Sequence, residues 1–365
     1  MRILVVSTPL GALGSGSGGG VELTATSLVA GLLERGHQLT VLAAEGSLLP
    51  PACAAADLWT CRGRSQPSAQ HQERCAPITM LADGLLPRFW QRVLLEGPAA
   101  GVDVVLNLAY DWLPFWLTPV ASLPIFHLVS MGSVGEAMDG VIADLARWDQ
   151  RRLAFHSAVQ AADFALPQPP VVLGNGFDLA AYGFCAEPEP LLGWAGRVAP
   201  EKGLEDGAAA AAQLGLPLAV WGLVEDRTYA AAVEASVPAG TLQWRGFLPT
   251  ARLQAELGRC RALLNTPKWN EAYGNVVVEA MACGVPVVAY RRGGPGELVQ
   301  PGINGLLVEP DDVGALAAAV AQVGTIERRA CRTWVEANAS VAVLAERVEV
   351  WLQAGLASVS SFFRA

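Results

Sequence analysis

The chain has 365 residues, of which 52% are apolar and only 16% charged, with a formal net charge of −9. That length supports two domains with separate cores, and an acidic balance with no Lys/Arg run argues against a nucleic-acid partner. No apolar run reaches the roughly 18 residues that a membrane span requires, and the opening residues lack the segments of an export signal, so a cytoplasmic location is expected.

The first predicted strand, "RILVVST", runs into "GALGSGSGGGVE", and a helical pattern, "ELTATSLVAGLLERG", follows. Gly14, Gly16 and Gly19 spell G-x-G-x-x-G at the place where a dinucleotide-binding fold puts its phosphate loop. That reading also needs an acid at the end of the second strand. Glu45 closes "LTVLAAE" there, 26 residues after Gly19, a partial fit. Two other readings stand beside it: a plain Gly/Ser turn, and a helix start facing the diphosphate of a ligand held mostly by another domain.

Further strands are expected at "QLTVLAA", "VDVVLNLA" and "PIFHLVS", while the Ala-, Cys- and Gln-rich residues 50–80 read as an excursion. After the Pro-rich stretch 167–170, a natural hinge, the pattern restarts with "LLGWAGR", "PLAVWGL", "LQWRGF", "ALLNTP", "PVVAYR" and "GLLVEP", interleaved with helical segments. Alternation of this kind predicts parallel sheets covered on both faces. The fold class is therefore α/β with two Rossmann-like domains, over 1–170 and 171–344. An amphipathic tail from about 345 to 365 is expected to pack back on the first. The seven cysteines include no C-x-x-C pair and the four histidines are scattered, so no metal site is expected and the thiols read as reduced packing residues.

Three segments of the second half carry chemistry. In "GWAGRVAPEKGLED", Arg197 and Lys202 follow a strand, five residues apart, and can converge on one anion such as a departing diphosphate. An ordinary exposed basic loop is the competing explanation. In "PKWNEAYGNVVVEAMACGVPVV", Glu271 precedes a helix whose first N–H groups would point at a ligand. Glu279 sits inside the apolar run "VVVEAMA", where a carboxylate needs a partner, such as the diol of a ribose. In "RRGGPGELVQPGINGLLVEPDD", glycines and a proline set a turn, Glu297 starts a helix, and the chain returns to a strand.

Together with "GGVE" and "GHQLTVLA" near the start, these segments resemble the retaining, nucleotide-sugar-dependent glycosyltransferases of family four, which have the GT-B fold, two Rossmann-like domains facing a central cleft. The resemblance spans nearly the whole chain in order. It implies that the dinucleotide match is incidental and that Gly19 and Gly20 face a diphosphate. It assigns Arg197 and Lys202 to the diphosphate, Glu279 to the ribose, and Glu271 with Ala272, Tyr273, Gly274 and Asn275 to the donor sugar. His127, in "PIFHLVSMGS", matches a cleft histidine near that sugar. Arg197, Lys202, Glu271 and His127 form the implied catalytic set. There is no Asp-x-Asp motif, in keeping with the family's metal-independent chemistry, and a nucleotide sugar is the co-substrate in place of a cofactor.

A narrower resemblance, carried by "STPLGALGSGSGGGVELT", "NLAYDWLPFWLTP", "FHLVSMGS", "GRVAPEKGLED", "GFLPTARLQAELGRC" and "LLNTPKWNEAYGN", is to the cyanobacterial UDP-glucose:tetrahydrobiopterin glucosyltransferases. It implies UDP-glucose as donor and a reduced pterin, tetrahydrobiopterin, as acceptor. The implied acceptor residues are Asp111, Trp112, Trp116, His127 and Ser130. The tryptophans offer surface for a flat ring to stack on, with simple packing as the alternative. Three other readings remain: a family-four enzyme with a lipid, polysaccharide or other small acceptor; a nucleotide-dependent oxidoreductase, resting on the glycine loop and Glu45; and a sugar-nucleotide binder without turnover.

Overall fold

The computed structural model describes residues 1–15 and 19–362. The chain divides into two units, one comprising Met1–Gly176 with Val341–Ala365 and the other Phe177–Ser340.

In unit 1 seven parallel strands form one sheet: β1 (Arg2–Val6), β2 (Gln38–Ala44), β3 (Asp57–Cys61), β4 (Val104–Asn107), β5 (Ile125–Val129), β6 (Leu153–Phe155) and β7 (Val171–Val172), in the order β3-β2-β1-β4-β5-β6-β7. Unit 2 repeats the plan with β8 (Leu192–Ala195), β9 (Leu218–Trp221), β10 (Leu242–Gly246), β11 (Ala262–Asn265), β12 (Val287–Tyr290) and β13 (Gly305–Val308), in the order β10-β9-β8-β11-β12-β13. Each sheet starts at its centre, winds outward and then reverses, the Rossmann order. The central strands are short apolar runs buried along their whole length, as at β4, β5 and β12, because helices cover both faces of a parallel sheet.

The expected two-domain α/β class therefore stands, with local corrections. β3, "DLWTC", lies inside the stretch read as an excursion. It is an edge strand with no fully buried residue, so it lacks the apolar run that marks its neighbours. β6 and β7 also escaped the sequence reading, being three and two residues long. Because Val172 pairs with Phe155, residues 171–176 belong to unit 1 and not to the second domain as expected. The last helix, Val341–Phe362, likewise begins in unit 1 earlier than expected. It packs on the first helix, Gly20–Glu34, so closely that a Cβ on Gly31 would lie 2.7 Å from the Ala345 Cβ. Trp351 sets its edge on Phe126 with ring centroids 5.2 Å apart, and Glu349 pairs with Arg35.

After β3 the chain crosses the C-terminal edge of the first sheet, where α/β proteins bind ligands. Arg64 pairs with Asp83 at 2.6 Å. The Gln66 N–H donates to Pro9 O at 2.9 Å, beyond β1, and Arg74 reaches Asp139 at 2.6 Å, beyond β5.

The glycine loop meets the same edge. Gly14, at φ 91°, donates its N–H to Glu22 Oε2 at 2.8 Å. Gly19, at φ 55°, caps the helix that opens at Gly20, and Gly16 lies outside the described residues. Glu45, the acid a dinucleotide site would give to a ribose, is held by Arg62 at 2.7 Å in an exposed ion pair.

Candidate active site

The turn after β8 is fixed by two glycines. Gly222, at φ 142°, lets the end of β9 approach so closely that a Cβ there would lie 1.7 Å from Gly196 O. Gly203, at φ 65°, ends the turn Pro200–Lys202, and a Cβ there would lie 1.9 Å from Thr266 O. Thr266 Oγ1 donates to Gly203 O at 2.6 Å, and the Lys268 N–H donates to Glu201 O at 2.9 Å. The Pro-Glu-Lys-Gly turn is thus fastened to the loop that follows β11.

That fastening brings Lys202 to Glu271. The Lys202 Nζ pairs with Glu271 Oε1, and the indole N–H of Trp269 donates to the same oxygen at 2.9 Å. The ammonium also lies 4.8 Å from the centroid of the Trp269 ring, a cation–π arrangement. Arg197 is held separately, by Glu225 at 2.5 Å and Glu201 at 2.9 Å. The two cations expected to converge on one anion are therefore each occupied by carboxylates of the chain in this structure.

The loop carrying Trp269 and Glu271 is anchored from below. Lys268 pairs with Asp206 and, at 2.9 Å, with Asp311. The Tyr290 hydroxyl donates to Asp206 at 2.5 Å. Arg292 pairs with Asp311 at 2.7 Å and donates to Pro267 O at 2.8 Å. Arg292 and Lys268 hold the Asp311 carboxyl down to about 2.

The Gly-Gly-Pro segment explains itself by close approach. A Cβ on Gly293, which sits at φ 63°, would lie 2.4 Å from Glu271 N. One on Gly294 would lie 2.3 Å from Tyr273 O, and the Gly294 N–H donates to Glu271 O at 2.7 Å. The segment is therefore a backbone brace for Glu271–Gly274. Gly274, at φ 99°, then opens the helix Asn275–Ala282. One turn further along, Glu279 accepts a hydrogen bond from the Tyr182 hydroxyl at 3.1 Å. Burial pushes the Glu279 carboxyl above the usual carboxylate range, and the Tyr182 bond offsets part of that rise. The carboxylate in an apolar run thus has a partner, as the sequence required. Neither that tyrosine nor Trp269 is among the residues the sequence analysis names. Tyr182 is 97 residues away in sequence and leaves no local signal, whereas Trp269 lay in plain view two positions before Glu271.

In unit 1 the outcome is mixed. His127 is not a ligand-facing side chain: it is fully buried within β5, stacked on Phe115 with ring centroids 4.2 Å apart. Its Nδ1 faces Asn107 Nδ2 at 3.0 Å and its Nε2 faces Thr118 Oγ1 at 2.7 Å. Since Thr118 already donates to Pro114 O, the network fits a neutral ring protonated at Nε2. Burial, aided by Arg152, pushes its pKa down to about 3. His127 thus sits in packing contacts, because β5 is a central strand covered on both faces and all five of its residues are buried.

Trp112 and Trp116 stack on each other at 5.5 Å with planes 19° apart, and Trp116 is 53% exposed. Ser130 is half-buried just past β5. Asp111 precedes the helix Trp112–Leu117, and burial raises its carboxyl to about 6, offset in part by the Trp112 N–H, the Gln66 side chain and the Leu113 N–H.

Residues 184–348 match the family model described as Glycosyl transferases group 1. A 2-deoxystreptamine N-acetyl-D-glucosaminyltransferase from Streptomyces fradiae is 36% identical over 152 residues, covering 40% of this chain and 36% of that protein. The chain spans less than half the length of curated relatives it matches. Among solved structures, AviGT4, a glycosyltransferase involved in avilamycin A biosynthesis, superposes with a TM-score of 0.71 at 22% identity, over 98% of each chain. Anabaena Alr3699/HepE in complex with UDP-glucose does so with a TM-score of 0.70 at 18% identity, over 97% of this chain and 100% of that one. The fold is thus that of GT-B glycosyltransferases, and the matched segment contains the Lys202–Glu271 site.

Proposed function

We propose that this protein is a retaining glycosyltransferase that moves glucose from UDP-glucose to the side-chain hydroxyl of a reduced pterin such as tetrahydrobiopterin. The observation that carries the transferase reading is the grouping of Lys202, Glu271 and Trp269 just before the helix Asn275–Ala282, within the segment that matches the family model. A UDP-glucose complex of a protein with the same fold supports the donor. The pterin rests on the resemblance of the first-half segments and on the Trp112–Trp116 stack.

In this reading Arg197 and Lys202 exchange their carboxylate partners for the diphosphate and neutralise the charge that grows on it as the glycosidic bond breaks. Charge neutralisation is assigned to these side chains and not to a metal ion. Glu279 accepts the ribose hydroxyls. Glu271 and the N–H groups from Ala272 to Asn275 hold the sugar, and Gly19 and Gly20 offer a second helix start to the diphosphate. Retention then follows from attack on the face the leaving group departs, with the leaving phosphate taking the acceptor proton. His127, being neutral and enclosed, holds the β5 end in place and touches no substrate. Incubation with UDP-glucose and tetrahydrobiopterin, read by mass spectrometry, tests the reading: a hexosyl-pterin and UDP are expected, and UDP-glucose consumed only with other acceptors overturns the pterin part.

A further inference from the structure

The indole of Trp269 meets both halves of the Lys202–Glu271 pair. Its N–H donates to Glu271 Oε1 at 2.9 Å, the same oxygen that holds the Lys202 ammonium. That ammonium lies 4.8 Å from the centroid of the indole ring. Among the described residues no third donor reaches the Glu271 carboxylate. The pair is open to a ligand, since each of its side chains keeps 18% of its surface exposed. The half-buried indole stands on a loop fastened on either side of it. Before it, the Lys268 N–H donates to Glu201 O at 2.9 Å, and the Lys268 ammonium is held by Asp206 and Asp311. After it, the Gly294 N–H donates to Glu271 O at 2.7 Å. The indole N–H is therefore presented from a fixed base.

A diphosphate that draws Lys202 away takes the cation from Glu271 and leaves it the indole N–H. A glutamate side chain is rich in rotamers, and ordering it has an entropic cost that a retained hydrogen bond offsets. We propose that Trp269 is a positioning residue for the donor sugar: its N–H keeps Glu271 in place once Lys202 has moved to the diphosphate. Oε1 stays with the indole, and Oε2 is the oxygen that a sugar hydroxyl meets. This rests on the reading above that gives Lys202 to the diphosphate and Glu271 to the sugar. The ring face has a separate part, which is to favour the ammonium through the cation–π contact. The two parts can be taken from each other chemically. A phenyl ring keeps the face and loses the N–H. An imidazole keeps an N–H, because its Nε2 stands where the indole nitrogen does.

The test is calorimetric binding of UDP and of UDP-glucose to the full-length protein without acceptor. In Trp269→Phe the Kd for UDP-glucose is expected to rise about ten-fold, the effect of one hydrogen bond lost from a charged group, while the Kd for UDP stays within two-fold. Trp269→His is expected to recover most of the UDP-glucose affinity. In a Glu271→Ala background Trp269→Phe is expected to change UDP-glucose binding less than two-fold, because the residue through which it acts is gone. Equal weakening of UDP and UDP-glucose in Trp269→Phe, or no weakening of either, overturns the proposal. So does a loss that persists in full in the Glu271→Ala background. If Trp269→Phe does not fold, 3-benzothienylalanine at position 269, which keeps the indole shape and replaces the N–H by sulfur, carries the same expectations. A wild type that binds neither UDP nor UDP-glucose overturns the donor reading together with this one. A selective loss of UDP-glucose binding in a protein that glucosylates no pterin supports the role of Trp269 and defeats only the acceptor.

Discussion

The Tyr182 hydroxyl donates to Glu279 Oε1 at 3.1 Å, joining residues 97 apart in sequence. Burial raises the Glu279 carboxyl and this bond counters the rise. In Tyr182→Phe the counterweight is gone, so the carboxyl climbs further and a smaller fraction is ionised at neutral pH. A hydrogen bond to a charged group contributes about 1.5–3 kcal/mol. The donor KM should therefore rise roughly ten-fold or more with kcat little changed, and the acid limb of its pH profile should move to higher pH. A profile identical to wild type would make Glu279 a packing residue only.

Arg197→Ala and Lys202→Ala should each lower turnover at saturating donor on the order of a hundred-fold, the effect of about 3 kcal/mol lost from a preorganised charge. Arg197 is bound by two glutamates near the surface and Lys202 by one, in a less exposed place. Melting curves close to wild type should accompany the loss in both, since these are surface or half-buried ion pairs of small net stability. Near-normal turnover in both would remove the diphosphate assignment.

The sheet centres and the second-half motifs were legible because their signals are local. A four-residue apolar strand between turn residues announces itself, and so does a glutamate set in "VVVEAMA". What stayed hidden depends on distance. The Tyr182–Glu279 bond, the Lys268–Asp206–Asp311 anchor and the Arg74–Asp139 clasp each join residues 43 or more apart in sequence. The surroundings of His127 stayed hidden for the same reason: a histidine in an apolar strand gives no local sign of its partners, and Asn107, Thr118 and Phe115 lie on other segments.

Gly293→Ala should disable the site from a distance. The substitution places a methyl group 2.4 Å from Glu271 N at a backbone φ of 63°. The expected cost is about 1–3 kcal/mol of stability, seen as a lower melting temperature, with donor affinity falling further than stability alone explains because Glu271–Gly274 must move. Gly302, which also has a positive φ of 81° but no atom within 4 Å of an added Cβ, is the control: Gly302→Ala should lower the melting temperature and leave donor affinity unchanged.

Asp111 gives a pH signature. Its carboxyl is raised to about 6 by burial, so the fold favours the neutral form. The corresponding stability is complete below its ordinary value near 3.8 and is lost as pH rises through about 6. Asp111→Asn removes that loss. Its stability relative to wild type should increase between pH 4 and pH 6.5, on the order of 1–2 kcal/mol. Glu73 and Arg74 line the same cavity as Asp111. A stability difference that is flat across the window would place Asp111 in water.

The central claim is tested most directly by the product itself. Wild-type protein with UDP-glucose and tetrahydrobiopterin should yield UDP and a glucosyl-pterin whose anomeric proton, followed by NMR from the first turnovers, keeps the α-configuration of the donor. A β-linked product would contradict the retaining mechanism, and intact UDP-glucose across pterin, lipid and saccharide acceptors alike would contradict the transferase account as a whole.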